Sequence, residues 1–502
     1  VDIRIDRDST VPIYLQICTG LREMILSGTL PEGFRLPPER RLAAALGVSR
    51  STILSAYREL KADTLVGAHV GRGTSVLPRR FAPTATAEVP SLPWRQLIRE
   101  GVAEAQDPLL RDLLELSERS DVISLSVGLP AAELLPLDTL RTLWAELASE
   151  VGPAMLLHSP TEGLTAFRET LCQLMMARGI RCSPGEVLVL SGSQQGLDLA
   201  ARVFLAPGDT VVVERPSFFG ALQIFRRAQV RVLGIPTDEN GMRTDALESV
   251  LERQRPKLIY TLPTFQNPSG AVMSLERRRH LLSLAHRFQV PVLEDDPYCD
   301  LRYEGDPLPS LRALDEHGYV IYFSSFSKVL FPGLRIGWVV AARPVTRQLA
   351  LAKQTVDLHS STVGQFILDR FVSDGHYVRH LKAVRAEYSR RRDLMEEALR
   401  AEAPAGVSWR KPEGGFYFWL GFPDAIRQSQ LLARAAELRV SFLPGDACYP
   451  EEPGENHLRL NFTFAPPERI RDGVARLMEA LRLAARGAVP GTRDGAATPP
   501  IV

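Results

Sequence analysis

The sequence is poor in cysteine, with 5 in 502 residues (Cys18, Cys172, Cys182, Cys299 and Cys448), and no two of them are spaced as zinc ligands or as a redox pair. That scatter argues against a disulfide scaffold and against a bound metal, and it fits a reducing, cytoplasmic compartment. No run of about eighteen apolar residues occurs, and no basic stretch followed by an apolar one opens the chain, so neither a membrane span nor a secretory leader is expected. An excess of one charge is lacking too. The 60 Lys and Arg against 59 Asp and Glu leave a net charge of +1, which excludes a surface that is basic throughout. Internal repeats are absent as well. What is present is the composition of a globular protein, 45% hydrophobic and 24% charged. The length suits about three domains, or one large domain and a small one.

Composition divides the chain into four stretches. Residues 1–77 follow a helical pattern and end in a Gly-rich hairpin signal, and up to Arg80 they carry twelve Lys and Arg against eight Asp and Glu. Residues 78–120 open with "PRRFAPTATAEVPSLPW" and read as a linker, with a short helix predicted in "WRQLIREGVAEA". From 121 to 487, apolar runs alternate with amphipathic helical patterns. The runs are "EVLVL", "TVVVE", "VRVLGI", "KLIYTL", "VPVLED", "YVIYF" and "IGWVVAA". Continuous apolar runs suit strands covered on both faces, and strand–helix alternation predicts a mostly parallel sheet in an α/β domain. Residues 488–502 form a small, Pro/Gly-rich tail expected to be disordered.

In the first stretch, "PPERRLAAALG" predicts a helix with Leu42, Ala45 and Leu46 on one face, stopped at Gly47. "SRSTILSAYREL" restarts with Ser49 as N-cap and presents Ile53, Ala56, Tyr57 and Leu60 on its apolar face. Two short helices joined by a glycine-containing turn are the helix-turn-helix signature, although an ordinary helical hairpin has the same local pattern. The first turn of the second helix projects Ser49, Arg50 and Thr52, residue types suited to phosphates and base edges. "HVGRGTSV" reads as a Gly-tipped wing that carries Arg72 toward a groove.

In the large stretch the chemistry gathers at strand ends, which is where open α/β sheets bind ligands. "SGSQQG" follows the first run and opens a helix whose N–H groups suit a phosphate. "RPSFF" sets Phe218 where it can stack on a flat ring, "PTFQNPSG" offers the amide of Asn267, and "DDPY" offers an acidic pair with a tyrosine. "SSFSK" ends on the lone amine of Lys328. Taken singly, each has a plain structural reading as a turn, a helix cap or a surface lysine. Together they are the groups that pyridoxal phosphate requires: a lysine for its aldehyde, a carboxylate for its ring nitrogen and a cradle for its phosphate.

Two resemblances sharpen this. The frame "LP-ER-LA--LGVSR-T---AY--L" with its "G-GT-V" wing resembles the winged-helix head of GntR-type bacterial regulators. That implies DNA contacts by Arg40, Ser49, Arg50 and Thr52, with Arg72 on the wing; the family's usual glycine near Asp63 or Thr64 is missing. From about Val122 to Leu483, "EDDPY", "SFSK-L-PGLRIG" and "GGFYFWL" resemble fold-type I aminotransferases of the kynurenine and 2-aminoadipate branch. The resemblance implies that Lys328 forms the internal aldimine, Asp295 pairs with the pyridinium nitrogen, Asn267 and Tyr298 bond the ring hydroxyl, and Phe218 stacks on the ring. It also implies that Ser193, Gln194, Ser325 and Arg335 hold the phosphate and that Arg459, in "HLRLNF", takes a substrate α-carboxylate. Three positions depart from that pattern: Phe218 and His158 stand where tyrosine is usual, and Val127 where glycine is usual.

The combination of head and body resembles the MocR/GabR-type transcription regulators. It implies a homodimer that binds operator DNA, in which an amino acid or amine is sensed through an aldimine at Lys328. A linker of about forty flexible residues spans roughly 35 Å, enough for either head to reach the other subunit. A catalytically active aminotransferase carrying a DNA-binding head is the alternative, and a body kept only as a dimerisation scaffold is a third.

Overall fold

The computed structural model describes residues 3, 5–7, 9, 11–69, 73–77, 115, 119–451, 454 and 456–486. The chain separates into two compact units, Val1–Leu97 and Ile98–Val502. The helix expected in "WRQLIREGVAEA", most of the linker, Arg72 and the tail lie outside the described residues.

The first unit packs three helices, α1 (Ile13–Leu26), α2 (Glu39–Leu46) and α3 (Arg50–Ala62), against a hairpin of β1 (Val66–His69) and β2 (Gly73–Val76). Gly47 ends α2 in the left-handed region at φ 63°, and the Ser49 hydroxyl caps α3 by accepting from the Thr52 amide at 3.1 Å. Ile53, Ala56, Tyr57 and Leu60 enter the core with Ile17, Leu21, Leu42 and Val66, as the spacing on α3 requires. One expectation on α2 fails. Ala45 is exposed and Ala43 is buried in its place. A helix of 8 residues is short enough for the crossing of α3 to choose which small residue turns inward.

In the second unit all seven apolar runs become strands of one eight-stranded sheet. They are β3 (Val187–Leu190), β4 (Thr210–Arg215), β5 (Arg231–Asp238), β7 (Leu258–Thr261), β8 (Val292–Asp295), β9 (Val320–Ser325) and β10 (Gly337–Val340); β6 (Gly241–Met242) completes it. The order is β3-β10-β9-β8-β7-β4-β5-β6. Neighbours from β9 to β5 pair parallel, whereas β10 runs antiparallel to both β9 and β3. Every residue of β3, β7, β8, β9 and β10 is buried, which is why these segments read as continuous rather than alternating. Helices α4 (Ser193–Phe204) and α5 (Phe219–Arg227) follow β3 and β4. The long α6 (His376–Glu402) and α7 (Pro467–Arg486) pack together near a second sheet, of order β11-β12-β14-β13. Its strands are β11 (Ser408–Trp409), β12 (Tyr417–Gly421), β13 (Leu443–Pro444) and β14 (His457–Asn461).

All five cysteines are thiols, and the fold brings Cys172 and Cys182 to an Sγ–Sγ distance of 3.6 Å, a proximity their ten-residue spacing did not announce. Among the described residues no helix is long and apolar enough to cross a membrane, and no cluster of three or more His, Cys, Asp or Glu is placed to hold a metal.

Candidate functional site

The carboxyl ends of β3, β4, β7, β8 and β9 lie on one rim of the large sheet, and because β10 is antiparallel, the residues before it lie on the same rim. That topology gathers Ser193, Gln194, Phe218, Asn267, Asp295, Tyr298, Ser325, Lys328 and Arg335 from segments spread over more than a hundred residues.

Asp295 is the last residue of β8 and is buried. Its Oδ2 accepts from the Tyr260 hydroxyl at 3.0 Å, while its Oδ1 is buried without a partner. Burial pushes this carboxyl up to about 7; the Tyr260 hydroxyl pulls the other way, Asp296 adds to the rise and the Lys328 charge opposes it. Lys328 lies just past β9, and its Nζ donates to the carbonyl of Gly128 at 2.8 Å. Burial holds this amine below the usual lysine range, and the Arg459 and Arg335 charges act in the same direction against Tyr417 and Asp295. An amine so placed is a better nucleophile at neutral pH than a surface lysine.

Asn267, in the turn after β7, is buried, and its Oδ1 accepts from Arg459 Nη1 at 2.7 Å. That turn is tied down by Glu214 at the end of β4, which accepts from the Thr261 hydroxyl (2.8 Å), the Leu262 amide (3.1 Å) and Gln266 Nε2 (3.3 Å). Arg459, on β14, also donates from Nη2 to the carbonyl of Ser126 at 2.8 Å, and its Nε is buried without a partner. The Tyr298 hydroxyl meets the Tyr417 hydroxyl at 3.1 Å. Phe218, at the start of α5, packs edge-to-face on Phe219 with centroids 5.2 Å apart.

The start of α4 forms the remaining wall. Gly192 caps it at φ 94°, and a Cβ there would strike the guanidinium of Arg335. Arg335, itself at φ 54°, donates from Nη2 to the Ser191 carbonyl at 3.2 Å and reaches the Ser327 hydroxyl from Nη1 at 3.5 Å. The Ser325 hydroxyl accepts from the Ser327 amide at 3.0 Å. Ser193 and Gln194 are the first two residues of α4, where amide N–H groups have no partner within the helix. Behind them Asp357 accepts from Ser191 Oγ (2.8 Å), Gln195 Nε2 (2.6 Å) and the buried Lys353 amine (2.6 Å). His158, on the segment before this wall, meets His359 at Nδ1–Nε2 2.7 Å.

The sequence did not single out Tyr260, Gly128 or Tyr417. Tyr260 lies within the apolar run "KLIYTL" and Tyr417 within "GGFYFWL", and neither pattern marks a role. In the head, Arg40, Ser49 and Arg50 are exposed and Thr52 is half-buried. Arg50 donates to Glu39 Oε2 from both Nε (3.1 Å) and Nη2 (2.9 Å). Of the two positions near which a glycine was expected, Asp63 and Thr64, it is Thr64 that sits at φ 54°.

A mostly parallel sheet, with an amine, a carboxylate and a helix N-terminus on its rim, defines an aminotransferase-like body; the other unit is a winged helix. Residues 120–477 match the description "Aminotransferase class I and II", and residues 13–76 match "Bacterial regulatory proteins, gntR family". Over 79% of this chain and 96% of its own length, "Aromatic-amino-acid aminotransferase 1" of Thermococcus litoralis is 40% identical. The "Probable rhizopine catabolism regulatory protein MocR" of Rhizobium meliloti is 30% identical over 98% of this chain and 99% of its own. Among solved structures, LysN, the alpha-aminoadipate aminotransferase of Thermus thermophilus, complexed with N-(5'-phosphopyridoxyl)-L-leucine, superposes with a TM-score of 0.74 at 37% identity, covering 79% of this chain and 100% of that one. The chain belongs to the aminotransferase class I and II family and joins to it a head of the gntR family, the combination of MocR-type regulators.

Proposed function

We propose that the chain is a pyridoxal 5'-phosphate-dependent transcription regulator that binds operator DNA through its head and senses an amino acid or amine at Lys328. The observation that carries this reading is Asp295 Oδ1, a buried carboxylate oxygen with no partner, on the rim that also holds a depressed amine and an open helix end. Burying a carboxylate oxygen unpartnered is costly, and a protonated ring nitrogen is the donor that satisfies it. When bound, the cofactor supplies a reactive aldehyde and an electron-withdrawing ring.

The chain's own residues would do the rest. Lys328 would hold the cofactor by its amine and move a proton at Nζ. Asp295 would fix the ring nitrogen, Asn267 and Tyr298 the ring hydroxyl, and Phe218 one ring face. Ser193, Gln194, Ser325 and Arg335 would hold the phosphate, with the α4 N-terminus adding its partial positive charge. Arg459 has unused donors, its Nε among them, for a carboxylate of the sensed compound. In the head, Arg40, Ser49, Arg50 and Thr52 would meet the duplex, with Arg72 on the wing.

A homodimer in the cytoplasm suits this role. Leu156 and Leu157 (71% and 64% exposed) adjoin His158, and Val356 and Leu358 (both 45% exposed) adjoin His359. The His158–His359 contact therefore marks an apolar area beside the α4 wall, suited to a second copy.

The test is a binding titration of the full chain with DNA selected from a random-sequence pool. It is run with cofactor present, with and without a panel of amino acids and amines. At least one compound is expected to change DNA affinity several-fold, and DNA is expected to change that compound's affinity by the same factor. In Lys328→Ala the shift should vanish while DNA binding itself persists. Unchanged affinity across the whole panel overturns the sensing role. The complete set of Asn267, Asp295, Tyr298, Lys328 and Arg459 also favours a second reading, an active aminotransferase. Steady turnover of an amino-acid donor with a 2-oxo acid would support it.

A further inference from the structure

We propose that Tyr417 is a positioning residue of this site, linking the ring-hydroxyl donor Tyr298 and the carboxylate-binding Arg459 through one side chain, so that the second sheet senses what the first sheet holds. The inference rests on the functional reading above and adds to it a residue that reading leaves without a role.

The geometry is specific. Tyr417 opens β12 and pairs with Asn461, while Arg459 lies opposite Trp419. Tyr417 and Arg459 are therefore diagonal neighbours on one face of the second sheet. The Arg459 guanidinium carbon stands 4.0 Å from the centroid of the Tyr417 ring, a stacked cation–π contact. The hydroxyl of the same ring reaches the Tyr298 hydroxyl at 3.1 Å, on the rim of the large sheet. It also fills the space beside Gly128, where any Cβ would collide with it, and Gly128 supplies the carbonyl that receives the Lys328 amine. The tyrosine is buried, so neither contact competes with bulk water. Arg459 crosses between the sheets as well, through Asn267. Two contacts between the sheets thus run from Tyr417 and its stacked partner to the two residues proposed to hold the ring hydroxyl.

This arrangement assigns two separable jobs. The ring keeps the guanidinium flat and oriented, so that a carboxylate meets its donors without first ordering the side chain. The hydroxyl shares a hydrogen bond with Tyr298, which strengthens Tyr298 as a donor to the cofactor's ring hydroxyl. A ligand carboxylate that draws Arg459 away from Asn267 must move or strain the same tyrosine, and through it Tyr298. Occupancy at the carboxylate end is thereby felt at the cofactor ring and along β12.

The experiment compares the full chain with Tyr417→Phe, which keeps the ring and removes the hydroxyl. Each protein is reconstituted with pyridoxal phosphate, and the pH midpoint of its visible absorption band is measured together with the cofactor's dissociation constant. Tyr417→Phe is expected to raise the midpoint by about half to one pH unit, the size of one hydrogen bond, and to weaken cofactor binding a few-fold. A cofactor-free readout runs alongside: a double-mutant cycle of Tyr417→Phe with Tyr298→Phe in denaturant unfolding. The two hydroxyls are expected to couple by about twofold or more in the unfolding constant. A normal band in the wild-type protein with an unchanged midpoint in Tyr417→Phe overturns the proposal and leaves the proposed function standing. Absence of coupling overturns it too. A wild-type chain that takes up no pyridoxal phosphate at all removes both.

Discussion

At the scale of single residues, the site and the head each contain a position where chemistry and comfort conflict. Asp295 keeps one oxygen unpartnered in a buried place, and Thr64 holds a β-branched side chain at φ 54°. Only the first is given a functional reason by the proposed cofactor. Thr64 follows α3, where the chain must reverse into β1, and its amide donates to the Lys61 carbonyl at 3.1 Å. A left-handed backbone there costs threonine about 1–2 kcal/mol more than glycine. Thr64→Gly is therefore expected to stabilise the head by about 1 kcal/mol after the flexibility of glycine in the unfolded chain is counted. Amide hydrogen exchange across α1–α3 of the full chain is the measurement, and slower exchange is the expected result. The sequence made the departure from glycine visible, but not its cost, because φ is set by the turn rather than by residue type.

At the scale of elements, the decisive feature is the start of α4. Its suitability for a phosphate is inferred from "SGSQQG", since small residues after an apolar run and before a helix leave amide groups accessible. A phosphate role for Arg335 was implied by the family resemblance alone; its contact with the Ser191 carbonyl depends on β10 running antiparallel, which brings Arg335 back to the same rim. Gly192 is required twice over, by φ 94° and by the Arg335 guanidinium. Gly192→Ala should weaken pyridoxal phosphate binding at least tenfold, measured by equilibrium dialysis. Gly208→Ala, at φ 89° with open space around its Cβ position, provides a control that strains the backbone without touching the wall and should leave cofactor affinity unchanged. The apolar face of α3 was read correctly, whereas on α2 Leu42 and Leu46 meet the core and Ala45 does not. A 13-residue helix samples its face several times, but an 8-residue helix leaves one alanine to be chosen by packing.

At the scale of the whole molecule, the large unit buries several acids whose protons are held tightly. Burial raises Asp295 to about 7, Glu214 to about 7 and Glu294 to about 8. In an unfolded chain these carboxyls release their protons in the ordinary carboxylate range near pH 4. Between that range and neutrality the folded protein binds more protons than the unfolded one, so its stability falls as pH rises. The contribution is full below the unfolded values and is lost progressively from there until pH has passed the folded values of about 7 to 8. Cofactor-free protein should therefore unfold at lower denaturant concentration at pH 8.5 than at pH 6. Adding pyridoxal phosphate should flatten the part due to Asp295, because the bound ring nitrogen supplies the partner its carboxylate lacks. Denaturant midpoints across that range check both statements.

The sequence by itself determined the class of each unit. Periodicity, turn residues and continuous apolar runs depend on local geometry and on whether a segment is covered, and both are written in residue order. It also named the amine, the acid and the amide at the strand ends, because α/β sheets present their strand ends to ligands. Only the tertiary structure decided which groups meet. The Tyr260 hydroxyl on Asp295, the Asn267–Arg459 bond and the stack of Arg459 on Tyr417 join residues 35, 192 and 42 positions apart. Such contacts are fixed by strand order and sheet-to-sheet packing, and no local pattern of side chains encodes either.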